Sequence, residues 1–135
     1  MLGVARNASA DEVIFVHRGR GKLLTHFGSL PVKPFDYVVI PKCTTYKVEF
    51  DSTYDSPDRL VIESPGNVGF PPRYLNPDGQ FRLGAPFAER DLHGPLELLT
   101  TDKDEETPVV VKDGNHLTRY VLAHHPFDVV GGDGF

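Results

Sequence analysis

The sequence predicts an all-β domain of short strands with little or no helix, and three observations carry that expectation. The chain has 135 residues, 39% of them hydrophobic and 24% charged. That suits one domain with its own core and is too short for two. It holds 13 glycines and 12 prolines, so few stretches run long enough for an ordinary helix, and an all-α fold is excluded. Between residues 11 and 50, apolar and β-branched runs alternate with turn chemistry, the pattern of a sandwich or barrel.

Residues 12–17 (EVIFVH) are the first predicted strand. The run stops at Arg18-Gly19-Arg20-Gly21, where glycine admits the positive φ of a hairpin turn, and residues 22–27 are expected to return as its partner. A second pair, 37–40 and 45–50, is expected to join through Pro41-Lys42-Cys43-Thr44. Within 45–50, Tyr46, Val48 and Phe50 alternate with Thr45, Lys47 and Glu49, which predicts one buried and one wet face. Residues 60–63 add a short strand. Residues 64–80 then carry Pro65, Gly66, Gly69, Pro71, Pro72, Pro77 and Gly79, and read as a long irregular excursion of the kind that carries function or docks on another surface. Residues 96–100 and 109–112 read as strands either side of an acidic turn at 102–106, and residues 116–123 (HLTRYVLA) as the last strand. The whole chain, 1–135, thus reads as a single β domain with the excursion inside it.

Charge and cysteine content narrow the function classes. A net charge of −5 without any Lys/Arg cluster argues against nucleic acid and anionic membranes as partners. A single cysteine, Cys43, cannot close a disulfide within the chain, and an intracellular, cytoplasmic location is expected. Residues 1–10 lack the apolar run of a signal peptide. The longest apolar stretches, near 37–40 and 109–111, fall far short of the roughly 20 residues that cross a bilayer.

The residues able to do chemistry are scattered. Gly19-x-Gly21 is followed three positions on by Leu24 and by no helix, so it reads as a turn and not a phosphate loop. His17, His26, His93 and His116 show no ligand spacing, and Glu89-Arg90-Asp91 reads as a local ion pair. Cys43 has no histidine near it in sequence and reads as a small buried hydrophobe. His124, His125 and Asp133 form a two-histidine, one-carboxylate set. Neighbouring strand residues point to opposite faces, however, so the two histidines would share a metal only across a bulge or turn. One is expected on the surface and the other satisfied by a hydrogen bond.

The spacing from Glu12 to Gly19, followed by Pro41, resembles the two signature stretches of the cupin barrel. The histidines of a metal-binding cupin would fall on Arg6 and Ala8, or on Ala5 and Asn7. The glycine, glycine, histidine and asparagine of the second stretch would fall on Phe35, Cys43, Tyr46 and Phe50. With those donors replaced, the interior is expected to be packed rather than metallated, with no metal or cofactor site in this chain.

Longer phrases add a more specific likeness. They are Asn7-Ala8 with Asp11-Glu12, Phe15-Val16-His17, Thr25-His26-Phe27-Gly28, Asp36-Tyr37-Val38-Val39-Ile40-Pro41, Thr44-Thr45-Tyr46, Glu63-Ser64-Pro65-Gly66, Arg73-Tyr74, Gly79-Gln80-Phe81, Ala85-Pro86, Glu89-Arg90-Asp91 and His125-Pro126-Phe127-Asp128-Val129-Val130. From Asn7 onward the chain resembles the middle portion of bacterial members of the homogentisate 1,2-dioxygenase family. The resemblance implies a cupin-like antiparallel barrel, one half of a bicupin, from a non-haem Fe(II) enzyme that opens the homogentisate ring with dioxygen in tyrosine and phenylalanine breakdown. It implies that the iron ligands, two histidines and a glutamate, lie in a second barrel beyond Phe135. It sets Gly132 and Asp133 where the family has tryptophan and histidine, which makes Asp133 the one candidate catalytic residue. The resulting expectation is a non-metal scaffold barrel, inactive alone and part of a homo-oligomer, meeting a small aromatic acid only through the catalytic barrel. The alternative is a stand-alone, non-catalytic barrel for oligomer assembly or small-ligand binding.

Overall fold

The computed structural model describes residues 3–53, 56–100 and 105–128. These form nine strands: β1 Val4–Asn7, β2 Asp11–Arg18, β3 Gly21–Thr25, β4 Gly28–Val32, β5 Tyr37–Ile40, β6 Thr45–Phe50, β7 Asp58–Ser64, β8 Thr107–Asp113 and β9 His116–Leu122. The helical pieces among the described residues are two three-residue 3₁₀ turns, Pro72–Tyr74 and Glu89–Asp91. The all-β class is therefore what the structure shows. No described helix is long and apolar enough to cross a membrane.

The strands make two sheets and no closed barrel, an arrangement consistent with a cupin-like fold. One sheet has six strands in the order β4-β3-β6-β1-β8-β9; the other has three, β5-β2-β7. All pairings are antiparallel except β1 with β8. Period-2 alternation points Ile14 and Val16 of β2 and Val38 and Ile40 of β5 at Leu23, Val32 and Val48 of the larger sheet, and these seven buried side chains form the main core. The other face of the larger sheet carries a second cluster, Val4, Val109 and Phe127, with Leu24, Leu99, Val111 and Leu122 packed against it.

Two expected hairpins are corrected. Residues 12–17 and 22–27 do not pair: β2 lies in the small sheet, while β3 pairs with β4 and β6 in the large one. Backbone approach is the reason. Gly21 sits so close to β6 that a Cβ there would come 2.0 Å from the Glu49 carbonyl oxygen, and Asp51 N–H donates to the Arg20 carbonyl at 2.8 Å. The turn thus hands the chain across to the facing sheet. Residues 37–40 and 45–50 do not pair either, since β5 joins β2 whereas β6 joins β3 and β1. Here Cys43 takes φ 67° and donates its N–H to the Asn7 carbonyl at 2.7 Å, turning residues 41–44 into a further crossing.

Residues 96–100 are not a strand. Only Glu97 bridges to Ser29, through two backbone bonds, Ser29 N–H to Glu97 O at 2.8 Å and Leu96 N–H to Ser29 O at 2.9 Å. The acidic turn expected at 102–106 falls partly outside the described residues. Thr45, expected on a wet face, is 3% exposed because the second cluster lies over that side of the large sheet. Two strands escaped the sequence reading, β1 and β4. β4 contains Gly28 and Pro31, and it tolerates proline because it is the edge strand. The irregular excursion is longer than 64–80, with no strand between Ser64 and Thr107 among the described residues.

Gly21→Ala is expected to lower stability by about 1–3 kcal/mol, since its methyl group must displace backbone rather than a flexible side chain. A urea unfolding curve with unchanged slope and a lower midpoint is the expected reading.

Candidate functional site

The polar end of the inter-sheet space is where β2 begins. Glu12 falls on the same face of β2 as Ile14 and Val16, so the alternation that builds the core also drives its carboxylate inward; it is 7% exposed. The Tyr46 hydroxyl hydrogen-bonds to Glu12, and burial followed by that bond pushes the Tyr46 phenol well above its usual range. The second carboxylate oxygen, Glu12 Oε2, is buried with no hydrogen-bond partner among the described residues.

Around this pair the polar groups tie the sheets together. Glu63, opposite Glu12 in the β2–β7 register, pairs with Lys112 Nζ of the large sheet and accepts from Asn7 Nδ2 at 3.3 Å. Asn7 Oδ1 also accepts the Ser9 N–H at 3.1 Å and the Ala10 N–H at 3.0 Å, fixing the link from β1 to β2. Asp11 spends one oxygen on the Lys42 N–H and the other on the Val68 N–H, both at 2.8 Å. These bonds, Val68 first, hold its carboxyl below the ordinary range. One aspartate therefore anchors the β5–β6 crossing and the start of the excursion.

Of the cupin positions read from the sequence, the structure brings Tyr46 to Glu12. Tyr46, at the position of the second-stretch histidine, is bonded to Glu12. Phe35 (φ 72°) and Cys43 (φ 67°), at the two glycine positions, are the non-glycine residues with positive φ among the described residues. A left-handed backbone at those two points is what a glycine pattern specifies, and here the chain keeps it without glycine. The first-stretch positions are occupied by structural contacts. Arg6 Nε donates to Thr45 Oγ1 at 2.7 Å, Asn7 holds the β1–β2 link, and the Ala8 N–H bonds the Lys112 carbonyl at 2.8 Å. What remains is one carboxylate beside one phenol, a donor set that does not fit ferrous iron.

A cleft of about 60 Å³ opens at Tyr46, between Ala5, Ile14, Val48, Arg59 and Val61. Pockets that enclose a small organic ligand run from about 300 Å³ upward, so it has room for water rather than for an aromatic acid.

The other candidates disperse. His17 pairs with Asp58 at 3.1 Å on the surface, and burial, then the Arg6 charge, holds His26 below its usual range. His93 and His116 are exposed. Glu89-Arg90-Asp91 is a local pair, Arg90 Nε lying 3.7 Å from Asp91 Oδ1. Cys43 is exposed, which corrects the buried reading; its left-handed turn lifts the thiol out of the strand pattern. His124 follows β9 in a bend, and the next residue, His125, takes the Phe127 N–H on its Nδ1 at 3.3 Å. Asp133 and Gly132 lie outside the described residues. Among the described residues no group of three His, Cys, Asp or Glu side chains could hold a metal ion.

Asp11 as anchor was missed by the sequence reading, as was the ladder of aromatic rings in the excursion. There Phe70, Phe81 and Phe87 meet at centroid distances of 4.7–5.3 Å, with Tyr74 beside Phe87 at 5.4 Å. Repeated aromatics spaced between prolines were the available signal.

The family profile described as homogentisate 1,2-dioxygenase N-terminal matches residues 3–135, which corrects the expected middle portion to the N-terminal part. The chain is 38% identical over 130 residues to a Saccharolobus solfataricus protein with a provisional dioxygenase name, covering 96% of this chain and 33% of that protein. It is 32% identical over 130 residues to the homogentisate 1,2-dioxygenase of Rhodopseudomonas palustris strain BisB5, covering 95% of this chain and 27% of the enzyme. To the Caenorhabditis elegans homogentisate 1,2-dioxygenase it is 30% identical over 128 residues, 95% and 28% of the two chains. The chain thus spans about a third or less of the length of the curated relatives it matches.

Two outcomes follow from the geometry. The stability that Asp11 contributes is present above about pH 4, where an unfolded carboxylate is ionised, and is lost as pH falls through its depressed folded value. Asp11→Asn is therefore expected to melt below the parent at pH 7, with the gap narrowing below about pH 4, as thermal scans across pH would record. Tyr46→Phe leaves Glu12 with less hydrogen bonding and is expected to cost about 1 kcal/mol in denaturant unfolding.

Proposed function

The chain belongs to the homogentisate 1,2-dioxygenase family, as its N-terminal part, and from that premise we propose that it is the non-metal, cupin-like scaffold of such a ring-cleaving dioxygenase. Fe(II), which the family implies, would supply the dioxygen chemistry; the Glu12–Tyr46 donor set does not fit it, and no step is routed through iron in this chain. The observation that carries the reading is the packed interior. Seven buried aliphatic side chains fill the space between the sheets, and the cleft at Tyr46 holds about 60 Å³.

On this reading the chain's residues position rather than react. Asp11, Asn7 and Glu63 lock the crossings and join the two sheets. The excursion after Ser64 is then free to present its aromatic ladder to the catalytic part of a full-length enzyme. The small aromatic acid, the iron and any role for Asp133 belong to that larger assembly, which is cytoplasmic and homo-oligomeric in this proposal.

The test uses the purified chain loaded anaerobically with Fe(II) and desalted. Iron far below stoichiometric by mass spectrometry, together with no homogentisate-dependent oxygen uptake, is the expected result. Stoichiometric iron or ring cleavage by the chain alone would overturn the scaffold reading.

A further inference from the structure

The middle of the excursion, residues 69–94, is fastened to the sandwich just outside its two ends. Before it, the Val68 N–H is held by Asp11 Oδ2 at 2.8 Å. After it, Ser29 exchanges backbone bonds with Leu96 and Glu97, and β4 comes so near that a Cβ at Gly28 would lie 2.4 Å from the Glu97 carbonyl oxygen. Between these two staples, the hydrogen bonds, ion pairs and ring contacts of the described residues stay inside the segment. Phe81 is their hub. Its ring meets those of Phe70 and Phe87 at 4.7 and 5.3 Å, and its backbone bridges to Leu75. Its N–H donates to Glu89 Oε1 at 3.3 Å, which ties it to the second 3₁₀ turn. On the other side Arg82 donates its N–H to the Tyr74 carbonyl and its Nε to the Leu75 carbonyl, both at 2.8 Å. Asn76 Oδ1 closes the loop between them by accepting from the Asp78 and Gln80 N–H groups at 3.0 and 2.9 Å. No residue from 69 to 94 is buried, and neither core cluster includes one. A Cβ at Gly69 or Gly94 would meet nothing within 4 Å, so both borders of the segment lie clear of other atoms.

We propose that residues 69–94 form a lobe that opens and closes as one unit while the sandwich stays folded. Two physical reasons carry this. A segment that contributes nothing to the buried cores loses little of the sandwich's stability when it opens, so its opening costs less than global unfolding. The bonds of the lobe also converge on Phe81 from residue 70 to residue 89, so its turns depend on one another and come apart together. The staples at Val68 and at Leu96 and Glu97 close the ends of the loop on the sandwich, and an open lobe therefore leaves β7 and β4 in place. The device makes the aromatic ladder a switchable feature. Anything that binds the closed ladder holds the lobe shut, and the sandwich plays no part in the exchange. The proposal stands on the bonds of this segment and does not depend on the scaffold reading.

The test is residue-resolved amide hydrogen exchange by NMR on the 135-residue chain, for the parent, Phe81→Ala and the core variant Val48→Ala. In the parent, the bonded amides of Tyr74, Arg82 and Leu92 are expected to share one protection level, with exchange at least about tenfold faster than in β2 and β6. F81A is expected to speed all three by at least about tenfold and to leave β2, β6 and the melting temperature as in the parent. V48A does the reverse, lowering protection in β2 and β6 while the three lobe amides keep their rates. Lobe amides as protected as those of β2, or with no protection at all, would overturn the proposal. So would an F81A chain that loses the sandwich, since lobe and sandwich would then be one cooperative structure. An effect of F81A that stops short of Leu92 would overturn it as well, because the turns would then open separately.

Discussion

Burial of one sheet's aliphatic face against the other's is the constraint from which the rest of this structure follows. Ile14 and Val16 must meet Leu23 and Val48, so the strands that carry them must face each other instead of pairing edge to edge. The chain therefore changes sheet three times within residues 11–50, at Gly19–Gly21, at residues 33–36 and at residues 41–44. Each crossing needs an unusual backbone. Gly21 lies against the Glu49 carbonyl with no room for a side chain, and Cys43 turns left-handed to reach the Asn7 carbonyl.

The same alternation that fills the core places Glu12 at its end, and the polar groups nearby absorb the consequence. Tyr46 shares a hydrogen bond with the buried carboxylate, Glu63 reaches Lys112 and Asn7 of the opposite sheet, and Asp11 ties two loops through their backbone N–H groups. Ion pairs at the surface, such as His17 with Asp58, add little by comparison, since solvent screens them. A phenol and a carboxylate close one end of a packed sandwich. Function on this reading lies in what the sandwich holds in place, and the excursion becomes its informative part.

Much of this was legible in the sequence. Gly/Pro content and period-2 runs established the all-β class and located β2, β3, β5, β6, β7, β8 and β9 to within a few residues, because strand periodicity is a local property. The resemblance in phrases from Asn7 onward pointed to the family that the comparisons then showed. The Glu12, Phe35, Cys43 and Tyr46 spacing identified positions that the fold does bring together or bend in the left-handed sense.

What only the tertiary structure decided is which strand meets which. A Gly-rich turn between two apolar runs is the same string whether the chain folds back as a hairpin or steps across to a facing sheet. The choice rests on contacts with β6, some 30 residues further on, and on Asp11 bonds to Lys42 and Val68 that no local pattern encodes. β4 stayed hidden because Gly28 and Pro31 read as turn residues, and an edge position is what allows them in a strand. The sequence determined the elements, through periodicities set by neighbouring residues. Their partners were decided by burial summed over the whole chain.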